Sequence, residues 1–120
     1  MRNIKLFYFS PTGTTEKIVK EVGRKISINL SGKETSEIID FTLPKNRVNS
    51  PSFSKKDLIV VGVPVYAGRV PNVLLKYLKN IEGNGALAVA IVLFGNRNYD
   101  DALIELQDIL SNNDFKVIAA

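Results

Sequence analysis

The 120-residue sequence contains no cysteine, no histidine and no tryptophan. Without cysteine there are no disulfides, no thiolate ligands for zinc or iron–sulfur clusters and no cysteine nucleophile. Without histidine the commonest general base is missing, and with it the serine–histidine–aspartate triad. Redox or hydrolytic chemistry must come from a bound cofactor, or from carboxylate, lysine or tyrosine side chains. Long apolar runs are also missing: the longest, residues 86–94, is far too short to cross a bilayer. The first residues carry a basic side chain but neither the apolar stretch nor the cleavage signature of an export signal. Charge of one sign is not concentrated either. Lys and Arg number 16 against 12 Asp and Glu, a net charge of +4, yet the basic residues come at most in doublets (Arg24-Lys25, Lys55-Lys56). That is no stripe for gripping a phosphate backbone, so the mild excess reads as solvated surface charge, compatible with an acidic partner, and not as a nucleic-acid site.

What is present is an ordinary globular composition, 45% hydrophobic and 23% charged. The length suits one domain, residues 1–120, and leaves no room for a second. These features describe a cytoplasmic, soluble protein.

Strands and helices alternate along the chain. Residues 4–9 are aromatic and β-rich and stop at Ser10-Pro11-Thr12-Gly13, which marks a strand and a turn. From Thr14 the period lengthens. Ile18, Val22, Ile26 and Leu30 recur every four residues with Val19 beside them, an apolar stripe on a helix that closes at Ser31-Gly32. Residues 36–41 read as a short strand, and residues 41–56 hold no helix. The β-branched run 58–63 and the run 86–94 have the character of strands buried on both faces. Pro71 opens a helix that continues through Ile81, residues 100–110 form another, and 115–119 form a last strand.

This order predicts an α/β protein with a five-stranded parallel sheet covered by helices on both faces, and the common solution is the strand order 2-1-3-4-5. No helix follows the last strand, so part of the sheet face over strands 3 to 5 is expected to lie uncovered, and either to drive self-association or to be covered by further sequence of a longer domain. Ligands of such sheets bind beyond the carboxyl ends of the strands, where residues 10–15, 64–70 and 95–99 form loops.

The first loop, Ser10-Pro11-Thr12-Gly13-Thr14-Thr15, sets four hydroxyls and a glycine at a helix start. One threonine would suffice as a helix cap. Four hydroxyls around a glycine exceed that need, and together with the open N–H groups and the helix dipole they suit a phosphate. Competing nucleotide signatures fail: there is no Gly-Lys-Ser/Thr loop, no triad of spaced glycines, and no cluster of acids after strand 1. Asp40 ends strand 2 where a ribose-binding acid would sit, but without the glycines it reads as a turn residue. Phe53, Tyr77 and Tyr8 read as core.

The loop resembles the Ser/Thr-x-Thr-Gly-x-Thr phosphate loop of flavodoxins. Residues 62–72 and 94–103 look like those of a narrower group, the flavodoxin domains fused to two-cluster ferredoxin modules in anaerobic bacteria and archaea. The similarity spans nearly the whole chain. It implies a flavodoxin-like fold that binds FMN non-covalently, with the phosphate on Ser10, Thr12, Gly13, Thr14 and Thr15. It implies an isoalloxazine ring held between Pro64, Val65, Tyr66, Ala67, Gly68 and Arg69 on one side and Gly95, Asn96, Arg97, Asn98 and Tyr99 on the other. Tyr66 and Tyr99 can stack on the ring, or simply close the sheet edge. Ala67-Gly68 matches the peptide that reorients in flavodoxins. Asn96, Arg97 and Asn98 offer donors to the pyrimidine edge, or form a plain polar loop.

The implied activity is electron transfer to or from an iron–sulfur or other redox partner, with no catalytic or metal-binding residue. The alternatives on the same fold are an FMN-dependent reductase or oxidase of quinone- or porphyrin-like substrates, and a flavin-free binding module. Three features depart from the flavodoxin pattern. The net charge is positive, the segment between strands 2 and 3 lacks a helix, and both the closing helix and the cluster cysteines are absent.

Overall fold

A computed structural model describes residues 3–31, 36–48, 51–64, 70–93 and 99–119. In chain order the elements are β1 (Asn3–Tyr8), α1 (Thr14–Ser31), β2 (Glu37–Asp40), β3 (Asp57–Pro64), α2 (Asn72–Lys79), β4 (Leu87–Leu93), α3 (Tyr99–Asn112) and β5 (Lys116–Ala119). Among the described residues between β2 and β3, one 3-10 turn, Pro44–Arg47, is the only helical element. All strand pairs are parallel, and the five strands lie in the order β2-β1-β3-β4-β5. The expected flavodoxin-like sheet is therefore present.

Side-chain alternation along the strands divides the core in two. Phe7, Ile59, Val61, Val63, Ala88 and Ala90 pack with Leu74 and Leu78 of α2 and with Leu106 and Leu110 of α3. On the other face Ile4, Leu6, Tyr8, Leu58 and Val60 pack with Val19 of α1. Phe53 and Tyr77 are core residues of the first cluster and Tyr8 of the second, in the roles their sequence contexts predict.

The structure corrects three expectations. The buried line of α1 is Thr15, Val19, Gly23 and Ser27. Ile18 is 41% exposed and Leu30 57%, while Val22 and Ile26 are only half-buried. The isoleucine row thus lies on a flank of the helix. Small residues take the centre line because α1 sits very close to the sheet. β4 is not buried on both faces: Ala88 and Ala90 are buried, but Leu87, Val89 and Ile91 on the opposite face are half-buried. The reason is coverage, since α1 packs over β1 and β3. For the same reason β3, expected to be partly bare, is buried from Asp57 to Val63. The thinly covered area is confined to β4 and β5, where Ile118 is 50% exposed. The 41–56 segment does not close it, because Phe41 and Phe53 belong to the opposite cluster.

The close approach of α1 is carried by two glycines. A Cβ on Gly62 of β3 would overlap the Val19 side chain and lie 3.1 Å from the methyl carbon of Thr15. A Cβ on Gly23 would overlap the end of Leu6. At the amino edge of the sheet the buried Asp57 carboxylate accepts from Lys5 Nζ (3.1 Å), the Ser54 N–H (2.9 Å) and Asn3 Nδ2 (3.4 Å). These bonds tie β1 to β3 and give the buried charge its partners. Among the described residues no helix is long and apolar enough to cross a membrane.

The two glycines are expected to differ in tolerance. Gly62→Ala drives a methyl into the stiff, β-branched Val19 and should destabilise the fold by about 1–3 kcal/mol, whereas Gly23→Ala meets the mobile end of Leu6 and should cost less. Urea unfolding midpoints at unchanged slope measure both.

Candidate functional site

β1 ends at Tyr8, and the Phe9 N–H still donates to the Gly62 carbonyl at 3.1 Å. The chain then turns away from the sheet. Gly13 adopts a φ of +88°, a conformation that only glycine takes without strain. The first helical bond runs from the Lys17 N–H to the Gly13 carbonyl (3.2 Å). One turn earlier, Ser10 Oγ accepts the Glu16 N–H at 2.9 Å, which satisfies one donor of the helix start. The backbone N–H groups and hydroxyls of Thr12, Thr14 and Thr15 donate to no other described residue. A Cβ on Gly13 would meet no heavy atom within 4 Å, so the space beside it is open. The loop thus offers free N–H and O–H donors at the positive end of a helix, with no cationic side chain among residues 10–15. Such a donor set fits a phosphate group.

Behind the loop lies a layer of acidic and hydroxyl groups. The Ser10 N–H donates to Thr42 Oγ1 (2.9 Å), and Asp40 Oδ1 accepts from both the backbone N–H (2.9 Å) and the hydroxyl of Thr42. Asp40 is therefore the turn residue its context suggests. Tyr8 is buried at the end of β1, with the carboxylates of Asp40 and Glu16 nearby. Burial first, then the negative charges of Asp40 and Glu16, push its phenol from the ordinary value of about 10 up to about 12.

Ser10, Thr12, Gly13, Thr14 and Thr15 lie in the turn between β1 and the start of α1. Pro64 ends β3, half-buried, and Tyr99 begins α3, so both stand at the carboxyl edge of the sheet. Val65, Tyr66, Ala67, Gly68, Arg69, Gly95, Asn96, Arg97 and Asn98 lie outside the described residues, as does the side chain of Tyr99. The loops between β3 and α2 and between β4 and α3 leave neighbouring strands at the edge where the hydroxyl loop leaves β1.

Two supporting residues escaped the sequence. Glu105 of α3 accepts the Val70 N–H at 3.1 Å and so anchors the chain just after the second loop. Thr42 anchors the first. The Asp-x-Thr spacing at 40–42 is a recognisable turn signal, but nothing in it says that Thr42 reaches Ser10. For Glu105 no local signal exists.

A family model described as flavodoxin domain matches residues 5–113. The chain belongs to this family. A flavoprotein from Lactobacillus acidophilus NCFM, crystallised in complex with FMN, shares the fold with a TM-score of 0.61 at 16% sequence identity, over 99% of this chain and 91% of that one. The flavodoxin domain thus has its hydroxyl-rich loop, its glycine turn and the ends of β3 and β4 on one edge of the sheet.

The raised Tyr8 phenol has a defined sign in stability. In the folded flavodoxin domain it stays protonated where an unfolded tyrosine ionises. Its contribution is complete below about pH 10 and is lost as pH rises through about 12. Subtracting the phenolate absorbance titration of Tyr8→Phe from that of the parent chain should isolate this late step, and Glu16→Gln should move the step to lower pH.

Proposed function

We propose that the chain is an FMN-binding electron-transfer domain. The observation that carries this is the set of N–H and hydroxyl groups at Thr12, Thr14 and Thr15, which donate to no other described residue, beside the open turn at Gly13. In this proposal Ser10, Thr12, Gly13, Thr14 and Thr15 hold the FMN phosphate. The isoalloxazine ring lies between Pro64, Val65, Tyr66, Ala67, Gly68 and Arg69 and the residues Gly95, Asn96, Arg97, Asn98 and Tyr99. Family membership and the FMN complex of the Lactobacillus flavoprotein support this assignment. Bound FMN would supply the redox chemistry. The chain's own residues bind and orient: helix-start donors and hydroxyls hold the phosphate through dipoles, and Arg69 and Arg97 favour negative charge on the ring.

The missing histidine favours a carrier over an enzyme with its own acid–base step. The net charge of +4 favours an acidic redox partner, an iron–sulfur protein or domain, met in the cytoplasm. The thinly covered faces of β4 and β5 are assigned to contact between copies of the chain. Sedimentation should show concentration-dependent association that Ile118→Lys abolishes, and a monomer at all concentrations would remove this assignment.

FMN binding is tested by titration of the purified chain, followed by flavin fluorescence. Thr12→Ala and Thr15→Val should each weaken FMN by about 0.5–1.5 kcal/mol, or up to about 3 kcal/mol where the bond is charge-assisted. Thr15→Val keeps the methyl packed at Gly62 while removing the hydroxyl. Riboflavin, which lacks the phosphate, should bind both variants like the parent chain. Equal losses for the two ligands would make the loop a scaffold.

A further inference from the structure

Among its described residues the segment between β2 and β3 carries one 3-10 turn and sends Phe41 and Phe53 into the core, and it is also bonded to the hydroxyl loop. The Thr42 hydroxyl is committed twice: it accepts the Ser10 N–H at 2.9 Å and donates to Asp40 Oδ1. Asp40 Oδ1 also accepts the Thr42 N–H at 2.9 Å. From the following 3-10 turn, one guanidinium nitrogen of Arg47 donates to the carbonyls of Phe41 (2.8 Å) and Thr42 (2.9 Å). The same guanidinium stands 5.7 Å from the centre of the Phe9 ring. Phe41 itself is fully buried, its ring 4.4 Å from that of Phe7 and its N–H bonded to the Tyr8 carbonyl at 3.0 Å. The backbone of Thr42 is therefore fixed from three directions before its side chain reaches the loop.

Ser10 is the residue on which that fixation acts. Its N–H is held by Thr42, its Oγ accepts the third N–H of α1, and its carbonyl receives the long 3.4 Å bond from Gly13. One residue thus links β2 to both the glycine turn and the helix start. We propose that Thr42, oriented by Asp40 and Arg47, is a positioning residue that sets the geometry of the hydroxyl loop for phosphate. It does so through Ser10 and without itself touching the ligand. This rests on the FMN binding proposed above. It adds that phosphate recognition depends on a segment 32 residues along the chain from the loop. A threonine is suited to this task, because its hydroxyl can accept and donate at once while its β-branched stem has few rotamers.

The test uses Thr42→Val, an isosteric change that removes both bonds, and Thr42→Ser, which keeps them. Two readouts separate positioning from FMN binding as such. In the flavin-free chain, Thr42→Val should speed amide hydrogen exchange at Ser10 and Glu16 while the amides of β3 and α3 stay as protected as in the parent chain, and Thr42→Ser should restore the slow rates. In flavin titrations, Thr42→Val should raise the FMN dissociation constant roughly 3- to 10-fold, the worth of one lost hydrogen bond. Riboflavin affinity should be unchanged, and Thr42→Ser should recover FMN binding.

If the parent chain binds no FMN, FMN binding itself fails, and the exchange rates still decide whether Thr42 orders the loop. If the parent chain binds FMN and Thr42→Val binds it equally well, the positioning role is overturned. Unchanged exchange at Ser10 and Glu16, or equal losses of FMN and riboflavin, also overturns it. Should Thr42→Val not fold, Asp40→Ala removes the acceptor that orients the Thr42 hydroxyl from an exposed position and must show the same selective loss of FMN.

Discussion

The seating of α1 on the bare backbone of β3 at Gly62 sets where the helix start behind the hydroxyl loop stands. With no side chain on Gly62, Val19 rests directly on the strand, and one helical turn earlier the methyl of Thr15 lies over the same backbone. The axis of α1 is thereby fixed close to the sheet, and so is the direction of its free N–H groups. Any larger residue at this position would lift the helix and carry the loop with it. The glycine is needed here for proximity, whereas Gly13 is needed for its backbone angle. The two glycines solve separate problems of one site.

Much of this was legible in the sequence, for identifiable reasons. The main strand runs are apolar and β-branched, so an alternating α/β chain followed from them, and 2-1-3-4-5 is the common order for five such strands. The hydroxyl loop was legible because all its parts are adjacent in the chain. The buried line of α1 was not. Periodicity follows hydrophobic mass and so picked out Ile18 and Leu30, while the sheet sits against Gly23 and Ser27, which hydropathy passes over. β4 misled for a different reason. Its residues resemble those of β3, but burial on the second face depends on which helix lies above, and that is a tertiary fact. Thr42 and Glu105 reach their partners across 32 and 35 residues, beyond any local pattern.

The hydroxyl loop carries no charged side chain of its own. Behind it Asp40 is held by the N–H and hydroxyl of Thr42, and Glu16 is paired with Lys20. Attraction must come from oriented N–H and O–H dipoles, which fall off steeply with distance and demand correct placement. A site of this kind discriminates by shape more than by charge. That explains why so much of the surrounding hydrogen bonding serves to hold one short loop still.

The pairing of β1 with β3 has a consequence for the order in which the molecule assembles. Asn3 and Asp57 meet across 54 residues, whereas each of the other pairings closes over one strand–helix–strand crossover. Loop-closure entropy must be met before such a distant contact can reward it, so the run from β3 to β5 can condense on local contacts while β1 is still searching. The hydroxyl loop leaves from the end of β1 and is completed only when that strand docks. An anion held by this loop therefore adds its binding energy to the docking of the β1–α1–β2 unit against β3, the pairing that closes the longest stretch of chain.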